Sequence, residues 1–160
     1  MTGFEKQLRK ISEDCQYSAQ TYFEAAKIAE YWGRVVVFIP ALLGALSGVF
    51  VALFGVRELG AVSAISGAVA ATASFVGVDK RSSSFKDSAK GFTRLRHQAS
   101  LELDLMGARS SVQELEDLVR SLRKDYEAIV SVTEPAPDRA FRKARSRICG
   151  GVLKYSTESN

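Results

Sequence analysis

The sequence predicts an all-α membrane protein, a transmembrane helical hairpin flanked by an amino-terminal cytoplasmic helix and a long carboxy-terminal cytoplasmic helix. Three observations predict it. Val35 to Val56 is twenty-two residues without a charge, and Gly60 to Val78 is nineteen, with Arg57 and Glu58 between them. The flanks are charged and carry apolar residues at alternating spacings of four and three, the seam of a coiled coil. Lys and Arg crowd the open end of the hairpin and leave only Arg57 at its tip. The chain therefore divides into 1–34, an amphipathic helix; 35–78, the hairpin; 79–133, a long coiled-coil-like helix; and 134–160, a Pro-containing break, short basic helix and tail.

In the first segment the seam runs Phe4, Leu8, Ile11, Cys15, Ser18, Tyr22, Ala25, Ala29 and Trp32. Tyr31 and Trp32 precede the first span, where amphipathic aromatic rings favour the headgroup level. No cleavable signal peptide is expected, because the first apolar run begins behind thirty-four mostly polar residues.

Each apolar run is long enough for the roughly 30 Å hydrocarbon core at about 1.5 Å of rise per residue. So short a connection makes them antiparallel. Lys27, Arg34, Lys80, Arg81, Lys86, Lys90, Arg94 and Arg96 flank the open end, so the positive-inside rule places both termini in the cytoplasm. Pro40 lacks a backbone donor and is the candidate hinge of the first span. Gly44 and Gly48 form a GxxxG pair, which permits close helix approach.

The second span differs in kind. Thirteen of its nineteen residues are Gly, Ala, Ser or Thr, against seven of twenty-two in the first. At 100° per residue Ser63, Ser66, Gly67, Ala70, Ser74 and Gly77 share one face, with Val62, Ile65, Val69 and Val76 broadly opposed. Two explanations compete for the small face: packing against the first span or a neighbouring subunit, and lining a water-filled path. Both imply helix contacts beyond lipid; a monomeric hairpin exposing this face is the outcome least expected, and a homo-oligomer is expected.

After Asp79, the stretch Arg81 to Ser84 reads as a short break and a new helix start. From there to Val132 two seams overlap, one through Phe85, Ala89, Phe92, Arg96, Ala99, Leu103 and Met106. The other passes through Leu101, Leu105, Ala108, Val112, Leu115, Val119, Leu122, Tyr126 and Ile129. The handover near Gly107 predicts a bend or a change of partner. The amino-terminal helix is expected to cover the first seam, which leaves Leu115, Val119, Leu122 and Tyr126 as the candidate oligomer seam, for self-association or for docking another protein. Pro135 and Pro137 stop the helix, and a basic helix with Arg139, Arg142, Lys143, Arg145 and Arg147 follows up to Gly150. That helix is read as a solvated tail, a lipid-surface binder or a contact for an acidic partner.

Catalytic chemistry is not expected. His97 is the single histidine, without Cys, Asp or Glu at ligand spacing, and Cys15 and Cys149 stand far apart without a CxxC. No P-loop, dinucleotide fingerprint or GxSxG occurs. The reading is therefore of no cofactor, no metal and no enzyme, and a net charge of +4 is too modest to indicate nucleic acid.

Taken together, the aromatic-basic run Tyr31-Trp32-Gly33-Arg34 before the hairpin, the long helix bearing Phe92, Leu95, Leu103 and Leu118, and the break Glu134-Pro-Ala-Pro-Asp138 resemble the SLATT domains. These are two-transmembrane effector modules of prokaryotic conflict systems, and the similarity covers roughly residues 5 to 150. The resemblance implies a pore-forming effector of the antiphage, abortive-infection type that oligomerises and permeabilises or depolarises the cell inner membrane. It also implies a partner that senses infection, a nucleotide-signal protein in such systems; no sensor-sized segment follows Cys149, so a separate sensor is expected. The alternative is a membrane-anchored coiled-coil scaffold without a pore.

Overall fold

The computed structural model describes residues 3–55, 58–75, 78–106 and 111–151, without the side chains of residues 58, 59, 74, 75, 78 and 79. Among them the chain is all-helical, with five helices: α1 (Gly3–Phe54), α2 (Glu58–Phe75), α3 (Val78–Asp104), α4 (Val112–Val132) and α5 (Asp138–Cys149). Contacts divide it into two compact units, Met1–Ala26 with Ser84–Asn160, and Lys27–Ser83.

In the first unit the front of α1 packs with α3, α4 and α5. Leu8, Ile11, Cys15 and Ala19 of α1 meet Phe92, Leu95 and Ala99 of α3 and Leu122 of α4, all buried. Leu8, Ile11 and Cys15 follow the three-four alternation of the sequence, while Ala19 is buried in place of the expected Ser18; one stripe of the helix faces inward. Aromatic rings tie three helices together: Tyr22 stacks on Phe92 with centroids 5.6 Å apart, and Phe92 lies 5.6 Å from Tyr126. Helix α4 runs antiparallel to α3, since Gly91 faces Ile129 and the Ser88 hydroxyl lies 3.2 Å from that of Thr133.

This arrangement corrects the long carboxy-terminal helix. Among the described residues, α3 ends at Asp104 and α4 starts at Val112, and the two pack side by side rather than forming one rod; the handover at Gly107 lies outside the described residues. The two seams lie on roughly opposite sides of a continuous helix at 100° per residue, so no single straight helix buries both on one core. Folding back resolves the conflict. Leu103 and Met106 of the first seam and Val119, Tyr126 and Ile129 of the second all pack against the same cluster. The first members of the second seam are left outside it, with Leu101, Leu105 and Val112 exposed.

Nor does α3 begin at Ser84. It runs from Val78 straight through the serines, and Ser82 is buried. Serine costs only a few tenths of a kcal/mol in a helix interior, so packing overrides the local preference.

Helix α5 starts after Pro137, whose fixed φ of −62° suits a helix entry, and Asp138 in its first turn and Arg147 in its last match the helix dipole. It is seated rather than solvated. Ala140 and Ala144 are fully buried, the ring of Phe141 lies 5.5 Å from that of Tyr17, and Arg147 pairs with Glu24 at 3.1 Å.

The second unit holds the rest of α1, α2 and the start of α3. Helix α1 continues through Pro40, whose missing N–H frees the Val36 carbonyl. It ends at Gly55, where φ is +68° and the N–H bonds to the Val51 carbonyl at 3.0 Å. Only glycine takes that conformation without strain.

Candidate functional site

The second unit is built around small residues. Gly44 and Gly48 share one face of α1 with Pro40 and Ser47. A Cβ placed on Gly44 would stand 3.5 Å from the Ser63 carbonyl and the Ser66 Cβ, and 3.6 Å from the Gly67 nitrogen. Any branched side chain there would collide with the α2 backbone. The closeness lets the Ser63 hydroxyl donate to the Gly44 carbonyl at 3.0 Å, a bond between helices. Ser47 satisfies its own hydroxyl on the Leu43 carbonyl at 2.7 Å, and Thr72 does the same on Ala68 at 2.8 Å.

Ser63 and Ser66 therefore face α1, with Ala70 half-buried on the same side. Gly67 stands at its margin, with open space where a Cβ would go. Gly77 and the Ser74 side chain lie outside the described residues. Pro40 is half-buried on the α1 side of the seam.

Bulky apolar residues point the other way. Phe38, Leu42, Leu46, Leu53 and Phe54 of α1 and Ile65 and Val69 of α2 are exposed, several by half or more. Helix α1 is long and apolar enough to cross a membrane, and of its apolar stretch only Ser47 is buried. Soluble monomers rarely expose contiguous apolar patches beyond a few hundred Å², so a run of exposed apolar side chains along two helices marks a surface made for something other than water.

Known protein families, curated proteins and solved structures show no match to this chain. What it does must be argued from its own residues.

One feature escapes the sequence reading. Ala61, Ala64, Ala68, Ala71 and Thr72 form a second small face on α2, exposed and set between the packed face and the bulky one. The four-residue spacing of Ala64, Ala68 and Thr72 was the available signal.

In the first unit the candidate oligomer seam is already occupied. Leu122 is fully buried, and Val119 and Tyr126 pack against its cluster; Leu115 is half-buried on the same side of α4. A seam marks which face is apolar, and the fold-back supplies the cover from within the chain. His97 lies in a shallow, open recess with Phe23, Lys90, Thr93 and Arg94. Among the described residues no group of His, Cys, Asp and Glu is placed to hold a metal.

Burial raises the Cys15 thiol pKa to about 12, helped by the neighbouring Asp14 carboxylate. Tyr22 is raised too, first by burial and then by Tyr126. Neither group ionises near neutrality, which suits a structural core. Cys149 is exposed.

Proposed function

We propose that this chain is a two-span membrane effector of the SLATT type, without catalytic chemistry, that oligomerises in the cell inner membrane and permeabilises it on a signal. The observation that carries the reading is the inverted hairpin, with hydroxyl and small residues on the Gly44–Ser63 seam and bulky apolar side chains outward. That is how a lipid-embedded helix pair packs, since lipid offers no hydrophobic drive between helices and close backbone approach must supply the attraction. The excess of Lys and Arg at the open end supports cytoplasmic termini.

The face carrying Ala64 and Ala68 suits a neighbouring subunit. In a closed assembly Ser63 and Ser66 are sealed against α1; they become water-lined only when the seam parts, which makes its opening the gate. A separate sensor protein supplies the signal. The test is ion flux from proteoliposomes holding the full chain. Ala68→Leu should abolish oligomers and leak together, and a Gly44→Cys/Ser66→Cys disulfide should abolish leak with oligomers intact. Undiminished flux from the disulfide-locked protein refutes the gate.

The Ser63–Gly44 bond equally favours a second reading, a membrane-anchored scaffold whose small face only packs. A scaffold shows no permeability at any protein density.

A further inference from the structure

We propose that α5 is a releasable latch, a basic amphipathic helix that leaves its seat on α1 for an anionic lipid surface. The seat is lightly made. Its buried apolar side chains are the methyl groups of Ala140 and Ala144, with Ile148 half-buried, and Phe141 stays half-exposed where it meets Tyr17. An ion pair spans it, Arg147 to Glu24 at 3.1 Å, with the Glu24 side chain 3% exposed and also accepting from the Gln20 amide. The outer face is strongly charged: Arg139, Arg142, Lys143 and Arg145 are all exposed, and Asp138 is the single acid among the twelve residues of the helix.

The same helix is complementary to two surfaces. At 100° per residue Ala140, Phe141, Ala144 and Ile148 gather in one sector and the cations fill the rest. That division matches helices that lie in the headgroup layer, with the apolar side dipped into the acyl boundary and the cations among anionic headgroups. Thr133 to Pro137 joins α5 to α4 outside any helix, and its two prolines keep the two helices from fusing. Release therefore leaves α4 in place. A chain anchored by its hairpin also holds α5 at high effective concentration near lipid. This step rests on the membrane reading above.

Cys149 provides the reporter, because it ends α5 and is exposed, whereas Cys15 is buried. The full chain is labelled there with a fluorophore and reconstituted into vesicles of phosphatidylcholine, or of equimolar phosphatidylcholine and phosphatidylglycerol, each carrying a lipid-borne quencher. Quenching should appear in the anionic vesicles and not in the neutral ones. It should weaken in roughly 1 M salt, where the Debye length falls to about 3 Å.

Replacing Arg139, Arg142, Lys143 and Arg145 with Gln should remove it, by about fivefold in partition for each charge. Glu24→Gln loosens the seat and should bring quenching on at lower anionic content. Equal quenching in both vesicles, or none in either while the protein co-floats with them, overturns the latch alone. Failure to co-float with neutral vesicles overturns the membrane reading itself.

Discussion

Truncating Leu122 to alanine tests the fold-back of α4 directly. Leu122 is fully buried in the cluster that holds Leu8, Ile11 and Cys15 of α1 and Phe92 and Leu95 of α3. Leu122→Ala removes three carbons, about 2.4 kcal/mol at roughly 0.8 kcal/mol per buried methylene. The cavity left among three helices adds to that, so the loss should be about 3–4 kcal/mol. For a domain stable by about 5–15 kcal/mol this is a large fraction.

Cys15 reports it locally. Its thiol lies in the same cluster and reacts only when the bundle opens, while Cys149 reacts at once. With opening faster than alkylation, about 3 kcal/mol corresponds to at least a hundredfold faster modification of Cys15, at tenfold per 1.4 kcal/mol. The acceleration should not change when the reconstituted protein is diluted with lipid. If Cys15 reacts at the wild-type rate in Leu122→Ala while the oligomer dissociates, Leu122 serves an intermolecular seam and the intramolecular fold-back is refuted.

The hairpin seam makes a size-dependent prediction. Gly44→Ala should be tolerated, since its methyl reaches only ordinary contact at 3.5 Å from Ser63 and Ser66, whereas Gly44→Leu should separate α1 from α2. A cysteine pair at Gly48 and Ser63 should cross-link readily in the first variant and not in the second. Gly91→Ala should raise bundle stability by up to about 1 kcal/mol, because a Cβ there meets Ile129 at a comfortable 3.5 Å and the helix gains propensity; a lower denaturant midpoint would contradict the packing of α3 on α4.

Alkali should loosen the bundle. The Cys15 thiol and the Tyr22 phenol ionise at higher pH in the fold than in the open chain. The Cys15 contribution is complete below pH 9.0 and declines as pH rises toward about 12, and that of Tyr22, raised in the same direction, is likewise lost only in alkali. Cys15→Ala should flatten that decline in unfolding midpoints taken across the range; an identical slope would remove Cys15 as a cause.

How much of this is legible in the sequence depends on what each residue can signal. Leu8, Ile11 and Cys15 announce the inner stripe of α1 by spacing alone, and Phe85, Ala89, Phe92 and Ala99 do the same for α3. Leu95 is buried where the regular seam would have used Arg96. The α4 face is equally plain, but its cover is not, because periodicity fixes a direction on a helix and says nothing of which surface closes over it. Two seams in opposite phase on one supposed rod were the clue to a fold-back. Ala140 and Ala144 carry the α5 seat with side chains too small to mark a core, and Glu24, on the outward side of the α1 seam, reads as solvated until Arg147 reaches it.

The two units pack by opposite rules, and the contrast supports the proposed reading in which water surrounds the first and lipid the second. In the bundle the large side chains Phe85 and Phe92 are buried, and the charges of α4 lie outward. In the hairpin Phe38, Leu53 and Phe54 are outward, and glycine and serine make the contact. Water drives the first arrangement, because burying an aromatic ring there releases a large apolar area. It would oppose the second, where the larger apolar groups stay exposed to gain a seam of Gly44, Gly48 and Ser63. On the proposed membrane reading that exchange is favourable, because lipid is as apolar as leucine and no water competes for an interhelical bond such as Ser63 to Gly44. Moving one bulky residue across the boundary exposes the difference. Phe92→Ser should unfold the bundle by leaving its ring contacts with Tyr22 and Tyr126 empty, whereas Leu46→Ser should leave the Gly44–Ser63 seam intact and weaken only the partition into lipid. Loss of the seam cross-link in Leu46→Ser would show that the hairpin is held by outward packing after all.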